Sequence, residues 1–208
     1  NTNKISKFLK KINIKKGDRV AAYMPNTIQT VEAFIATTSL GSIWSSCSPD
    51  FGSKGVIERF SQINPKVLFI TDQYFYNGKK IDVLNRLPEI LKLIPSIKSV
   101  VISNYPGKKF IKNKYKFKKI NLFKWNELMQ TNVEKIDFER FDFETELAIL
   151  YSSGTTGKPK CICHRSGGVL IQHMKEHQLH CNIKENDNVF YFTTCGWMMW
   201  NWLVSSLA

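Results

Sequence analysis

The chain has 208 residues, 43% of them apolar and 23% charged, with 30 Lys and Arg against 17 Asp and Glu and a formal net charge of +13. This is ordinary globular composition; it excludes a collagen, a disulfide-dense miniprotein and a wholly disordered chain, and the length suits one large domain or two small ones. Residues 104–124 hold eight lysines and no acid, more than half of the net charge, so the basic balance belongs to one segment.

In chain order the elements alternate. Residues 5–12 have helical spacing, Gly17-Asp18 marks a turn, and 19–24 read as a strand ended by Pro25. Residues 27–40 repeat apolar side chains at helical intervals and stop at Gly41. A short strand over 43–47 precedes an amphipathic helix over 53–63, with Ser53 as its N-cap. A buried strand over 66–71, a helix over 81–94 and a strand over 99–103 follow. Further on come a short helix (123–129), a strand (146–152), a glycine-rich loop and a strand (160–163). A helix over 167–183, a strand over 189–193 and a helix over 198–207 complete the pattern. This rhythm predicts an α/β fold of mostly parallel sheets flanked by helices.

Several segments admit two readings. Lysines alternate with Phe110, Tyr115 and Phe117 across 108–119, which fits a nucleic-acid surface or, better, an edge strand with its polar side outward. Residues 189–208 carry no charge over a length that could cross a bilayer, but the threonines, serines, Gly196 and Asn201 favour a buried strand, loop and helix. His173, His177 and His180 share a helix face, yet lack the general base of a zinc-protease motif, so a solvated face is expected there and no metal site. Five cysteines without a CxxC pair, and no secretory signal, suit a reduced, cytoplasmic setting. The chain opens on Asn1 and stops at Ala208 inside an apolar run, which reads as a piece of a longer protein.

The most informative string is Tyr151-Ser152-Ser153-Gly154-Thr155-Thr156-Gly157-Lys158-Pro159-Lys160. Its glycines permit backbone angles closed to other residues and let amides approach an anion. Ser152, Ser153, Thr155 and Thr156 add hydroxyl donors, and Lys158 and Lys160 add positive charge. It is no Walker A loop: two residues separate the glycines instead of four, and Pro159 follows Lys158.

This string resembles the phosphate-binding loop of the adenylate-forming enzymes, the superfamily of acyl-CoA synthetases, luciferases and peptide-synthetase adenylation domains. The string KKGDRVAAYMPN is similar to the strand that opens their large domain. Two tryptophan strings, GSIWSSCSPDFG from Gly41 and TCGWMMWNWLVS from Thr194, resemble the acyl-CoA synthetases that activate acetoacetate, more than those for acetate or propionate.

The resemblance implies ATP, Mg2+ and coenzyme A as cofactors and acetoacetate as the acid, with no nucleic acid and no membrane span. Ser152, Ser153, Gly154, Thr155, Thr156, Gly157, Lys158 and Lys160 would hold the ATP phosphates, with Lys160 catalytic. Trp197, Met198, Met199 and Asn201 would line the acyl pocket, although Trp and Met also suit core packing, as Trp200 and Trp202 are expected to do. Asn77, Gly78, Lys79 and Lys80 would meet the phosphates of coenzyme A, although Asn-Gly-Lys more readily makes an ordinary turn. The resemblance makes residues 1–208 part of the AMP-binding N-terminal domain. A C-terminal domain bearing a catalytic lysine is expected beyond it, so this piece alone is expected to be inactive.

Overall fold

The computed structural model describes residues 1–109, 116–132, 138–152 and 157–208. Among the described residues the chain opens with α1 (Thr2–Lys11), β1 (Arg19–Tyr23), α2 (Ile28–Thr38), β2 (Ile43–Cys47), α3 (Ser53–Ile63), β3 (Val67–Thr71), β4 (Gln73–Tyr76), β5 (Lys79–Asp82), α4 (Leu87–Leu93), β6 (Ser99–Ser103), β7 (Asn121–Lys124) and α5 (Trp125–Met129). β8 (Glu146–Tyr151), β9 (Cys161–Arg165), α6 (Ser166–Lys175) and α7 (Met198–Ser205) follow.

The described strands form a seven-stranded sheet in the order β7-β6-β3-β1-β2-β8-β9, and a separate hairpin of β4 and β5. All pairs in the large sheet are parallel except β8 with β9. β1 sits centrally, with Tyr23 opposite Cys47 on one side and Ile70 on the other. The chain steps from β1 to β2, then crosses back over β1 to β3, so both faces of the sheet receive helices.

Strand alternation sorts the core into two layers. Ala21, Tyr23, Leu68, Ile70, Val100 and Ile102 face Val56, Phe60 and Ile63 of α3 and Leu87 and Ile90 of α4. Val20, Ala22, Val67, Phe69 and Val101 face Ile5, Phe8 and Leu9 of α1, Ala33 and Ala36 of α2, and Trp125 and Leu128 of α5. A parallel sheet covered on both sides needs apolar residues at successive positions, which is why β3 reads VLFIT and β6 reads SVVIS.

The structure corrects several boundaries. Ser53 is the first helical residue, and Gly52 takes the cap position without a side-chain bond. Residues 81–82 pair in β5, and a 3-10 turn (Leu84–Arg86) precedes α4, so the helix is much shorter than its spacing suggests. The edge strand lies at β7, downstream of the basic stretch; 110–115 fall outside the described residues and 116–120 form no strand. Phe123 belongs to β7, and α5 begins at Trp125. α6 ends at Lys175 and continues as one π turn, Glu176–His180. Residues 189–193 are irregular, with Phe190 84% and Phe192 83% exposed; a strand needs a ladder beside it, and no described strand pairs with this segment. Among the described residues no helix is long and apolar enough to cross a membrane.

Candidate active site

Because β1, β2, β3, β6 and β8 run the same way, their C-terminal ends share one edge of the sheet. In open α/β sheets this is the edge that collects ligands. Four segments meet there: Met24 after β1, residues 48–52 after β2, the glycine-rich loop after β8, and 194–199.

The loop is the nine-residue connection of a β-hairpin. Tyr151 opposes Cys161 at its base, and the Ser152 amide donates to the Lys160 carbonyl at 3.0 Å. Ser153, Gly154, Thr155 and Thr156 lie outside the described residues. Gly157 has φ +124° with open space where a Cβ would stand, a conformation that favours glycine. Lys158 and Lys160 are exposed, while Pro159 is buried and its carbonyl accepts from Gln62 Nε2 of α3 at 2.9 Å. The loop is therefore tied at both ends and presents its two cations to solvent.

Beside it lies a cleft of ≈ 1010 Å³. Tyr151, Ile162 and His164 form its floor near the hairpin; Trp197, Met198, Met199 and Trp202 come from the other side. Tyr151 thus belongs both to the loop's stem and to the cleft. Its hydroxyl pairs with Ser45 Oγ at 3.0 Å, and burial raises its pKa, so it stays a neutral phenol. Burial lowers the pKa of His164, favouring the neutral imidazole.

The two tryptophan strings, far apart in sequence, meet in space. Trp44 Nε1 donates to Ser46 Oγ at 3.0 Å, and Ser46 Oγ donates to the Cys195 carbonyl. Cys195 Sγ lies 2.7 Å from the Met24 carbonyl, which burial of the thiol makes its acceptor. A Cβ on Gly196 would stand 3.1 Å from Phe51 Cε2, a tight approach that would push on the ring. Phe51 is fixed in turn: Arg86 Nη1 donates to the Pro49 and Phe51 carbonyls at 2.8 Å each, and also pairs with the Tyr23 hydroxyl.

The expected pocket residues separate. Trp197 is 47% exposed and, with Met198 and Met199, lines the cleft. Asn201 is 5% exposed and lines a neighbouring cavity of ≈ 660 Å³ instead, where its Oδ1 has no partner among the described residues. Trp200 is fully buried, donates to Asn26 Oδ1 at 2.8 Å and packs edge-on against Phe34 at 5.6 Å. Trp202 lines the cleft rather than the core. The expected solvated histidine face is corrected at His173, which is buried: Ser205 Oγ of α7 bridges its Nδ1 at 2.8 Å and His177 Nε2 at 2.9 Å. Cys161 and Cys163 are exposed on β9.

Asn77, Gly78, Lys79 and Lys80 occupy the tip and return strand of the β4–β5 hairpin. Asn77 has φ +48° and Gly78 φ +72°, the geometry of a tight hairpin turn, and all four side chains or positions are exposed. The reading as an ordinary turn and the reading as a basic tip thus coincide in one element. Reasoning from sequence missed Arg59, Gln62 and Phe51. Arg59 and Gln62 stand three apart on α3, a spacing that puts both on one face, but nothing in the string says what that face meets.

Comparison with known proteins gives the family. The family model described as "AMP-binding enzyme" matches residues 1–207. Acetoacetyl-CoA synthetase of Gallus gallus is 46% identical over 204 residues, covering 96% of this chain and 30% of that protein. Acetoacetyl-coenzyme A synthetase of Rhizobium meliloti (strain 1021) is 46% identical over 206 residues, covering 99% and 31%. The solved structure of acetoacetyl-CoA synthetase from Streptomyces lividans superposes with a TM-score of 0.88 at 37% identity, covering 99% of this chain and 30% of that one. The chain thus spans about 30% of the length of the relatives it matches. On the match of 207 residues, the chain belongs to the AMP-binding enzyme family.

Proposed function

We propose that the protein to which this chain belongs ligates acetoacetate to coenzyme A with ATP, through an acyl-adenylate, releasing AMP and pyrophosphate. The observation that carries this reading is the adjacency of the two features built on Tyr151: a loop with exposed cations and a cleft walled by tryptophan and methionine. The names of the relatives select acetoacetate among short acids.

A carboxylate resists attack because it is anionic and its leaving group would be oxide. Attack of its oxygen on the α-phosphate of ATP expels pyrophosphate and leaves an acyl-AMP, whose AMP then departs when the thiol of coenzyme A attacks the acyl carbon. Both steps redistribute charge on phosphate, so preorganised donors dominate the rate. In this reading the 152–160 loop gathers the β- and γ-phosphates, with Lys160 holding charge as it builds on the departing pyrophosphate. Trp197, Met198 and Met199 close the cleft to long acyl chains, and Asn201 stands behind them. Asn77, Gly78, Lys79 and Lys80 offer coenzyme A a basic hairpin tip. Among the described residues no group of three or more His, Cys, Asp or Glu side chains is arranged to hold a metal. On this proposal magnesium would be carried on the triphosphate, and no step is assigned to it. The adenine and ribose contacts belong, on this proposal, to chain beyond residues 1–208 within the same AMP-binding domain, and the catalytic lysine to a separate C-terminal domain.

The test is to give the full-length protein ATP, coenzyme A and a panel of acetoacetate, acetate and propionate. Acetoacetate should give the highest rate of AMP release. Preference for another acid would move the protein to a different branch, and ADP as product would reject adenylation altogether.

A further inference from the structure

Helix α3 carries no residue that the proposed chemistry uses, yet one of its faces reaches both halves of the site. The Arg59 guanidinium lies over the Phe51 ring, 4.5 Å from its centroid, and 5.7 Å from that of Tyr151. Arg59 Nη1 also donates to the Gly55 carbonyl of its own helix at 2.9 Å, which fixes its height along α3. Tyr151 is the residue from which the phosphate loop departs, and Phe51 is the ring that seats Gly196, immediately before Trp197. One turn further along α3, Gln62 holds the loop's exit at the Pro159 carbonyl. A planar guanidinium can serve two ring faces and a carbonyl together; an ammonium is a point charge and serves one.

We infer that Arg59 is a positioning residue that keeps Tyr151, where the phosphate loop starts, and the 194–199 segment in a common register, contacting Tyr151 on one side and Phe51 over Gly196 on the other. Arg59 touches no substrate in this account. It links the place where the triphosphate would sit to the wall of the acyl cleft, so that a shift of one displaces the other. The inference rests on the functional reading above, since it assigns the two segments to two substrates.

The experiment uses the full-length enzyme. Acid-dependent exchange of pyrophosphate into ATP is measured first on the wild type. Apparent KM values for ATP and for acetoacetate, together with Tm, are then measured for Arg59→Lys, Phe51→Leu, Gln62→Ala and the Arg59→Lys/Phe51→Leu pair. Arg59→Lys should raise both KM values by up to about tenfold, the scale of one lost cation–π contact, with Tm little changed. Phe51→Leu should raise the KM for ATP as well as that for the acid, although Phe51 is no part of the loop. Gln62→Ala should raise the KM for ATP alone. The paired variant should be no worse than its poorer member. An active wild type whose Arg59→Lys variant moves one KM or neither overturns the inference alone. So does a pair whose effects multiply, or a loss that only tracks falling Tm across all variants. A wild type with no acid-dependent exchange overturns the functional reading, and this inference with it.

Discussion

Residues of one type do opposite work here, and burial tells them apart. Trp200 is sealed between Asn26 and Phe34, whereas Trp197 stands half exposed at the cleft. Trp200→Ala should therefore cost about 3–5 kcal/mol by the usual scale of a large buried ring, read as a fall in the denaturant midpoint. Trp197→Ala should leave that midpoint nearly unchanged and widen the range of acids accepted. Lys160→Ala removes an exposed cation, so the fold should survive with adenylation slowed by about a hundredfold, as when one preorganised donor is lost. Composition alone could not rank these tryptophans: a string of four aromatic and methionine side chains fits core and pocket equally, and only the side chain's neighbours decide. The glycines, hydroxyls and lysines of the loop, by contrast, all suit a single ligand chemistry, which is why the proposal starts from that string. Arg59 was not legible, because its partners Phe51 and Tyr151 lie 8 residues before it and 92 after it in sequence.

At the scale of elements, spacing predicted β2 and β6 to the residue, since a buried parallel strand is a short apolar run with clear ends. It failed where two elements share one pattern. Residues 81–86 alternate weakly enough to pass as the start of a helix, and the turn signal at Asn77-Gly78 does not by itself say that a hairpin strand follows it. That turn makes its own prediction. Gly78→Val should strain the turn by about 1–2 kcal/mol, because φ is positive there, and disturb the β4–β5 hairpin while the seven-stranded sheet persists. If the hairpin tip meets coenzyme A, Lys79→Ala with Lys80→Ala should raise the KM for coenzyme A and leave pyrophosphate exchange unaffected. Equal loss in both assays would reject that placement. The segment 189–193 failed for a related reason: its apolar alternation is strand-like, but pairing requires a neighbour that alternation cannot supply.

For the molecule as a whole, the meeting of Met24, Cys47 and Cys195 under the site is the point on which several elements depend. Desolvation pushes the Cys47 thiol up to about 12 and raises Cys195 further, so both remain protonated in the native state. Their unfolded thiols ionise near 9. This contribution to stability is therefore intact below pH 9 and is lost progressively as the pH rises from 9 towards 12. Denaturation curves across that window should show a decline that is shallower when both cysteines are replaced with alanine, the buried phenols of Tyr23 and Tyr151 supplying the rest. In native protein at pH 8, iodoacetamide should modify exposed Cys181 and spare Cys47 and Cys195 until denaturant is added.

The loop's grip on a triphosphate is the claim from which the remaining assignments follow. It is tested most directly by pyrophosphate exchange into ATP in the full-length enzyme, with and without acetoacetate, for the wild type and for Lys160→Ala. The account predicts exchange that requires the acid and falls by about two orders of magnitude in the variant. Exchange indifferent to acetoacetate, or undiminished when Lys160 is removed, would contradict it.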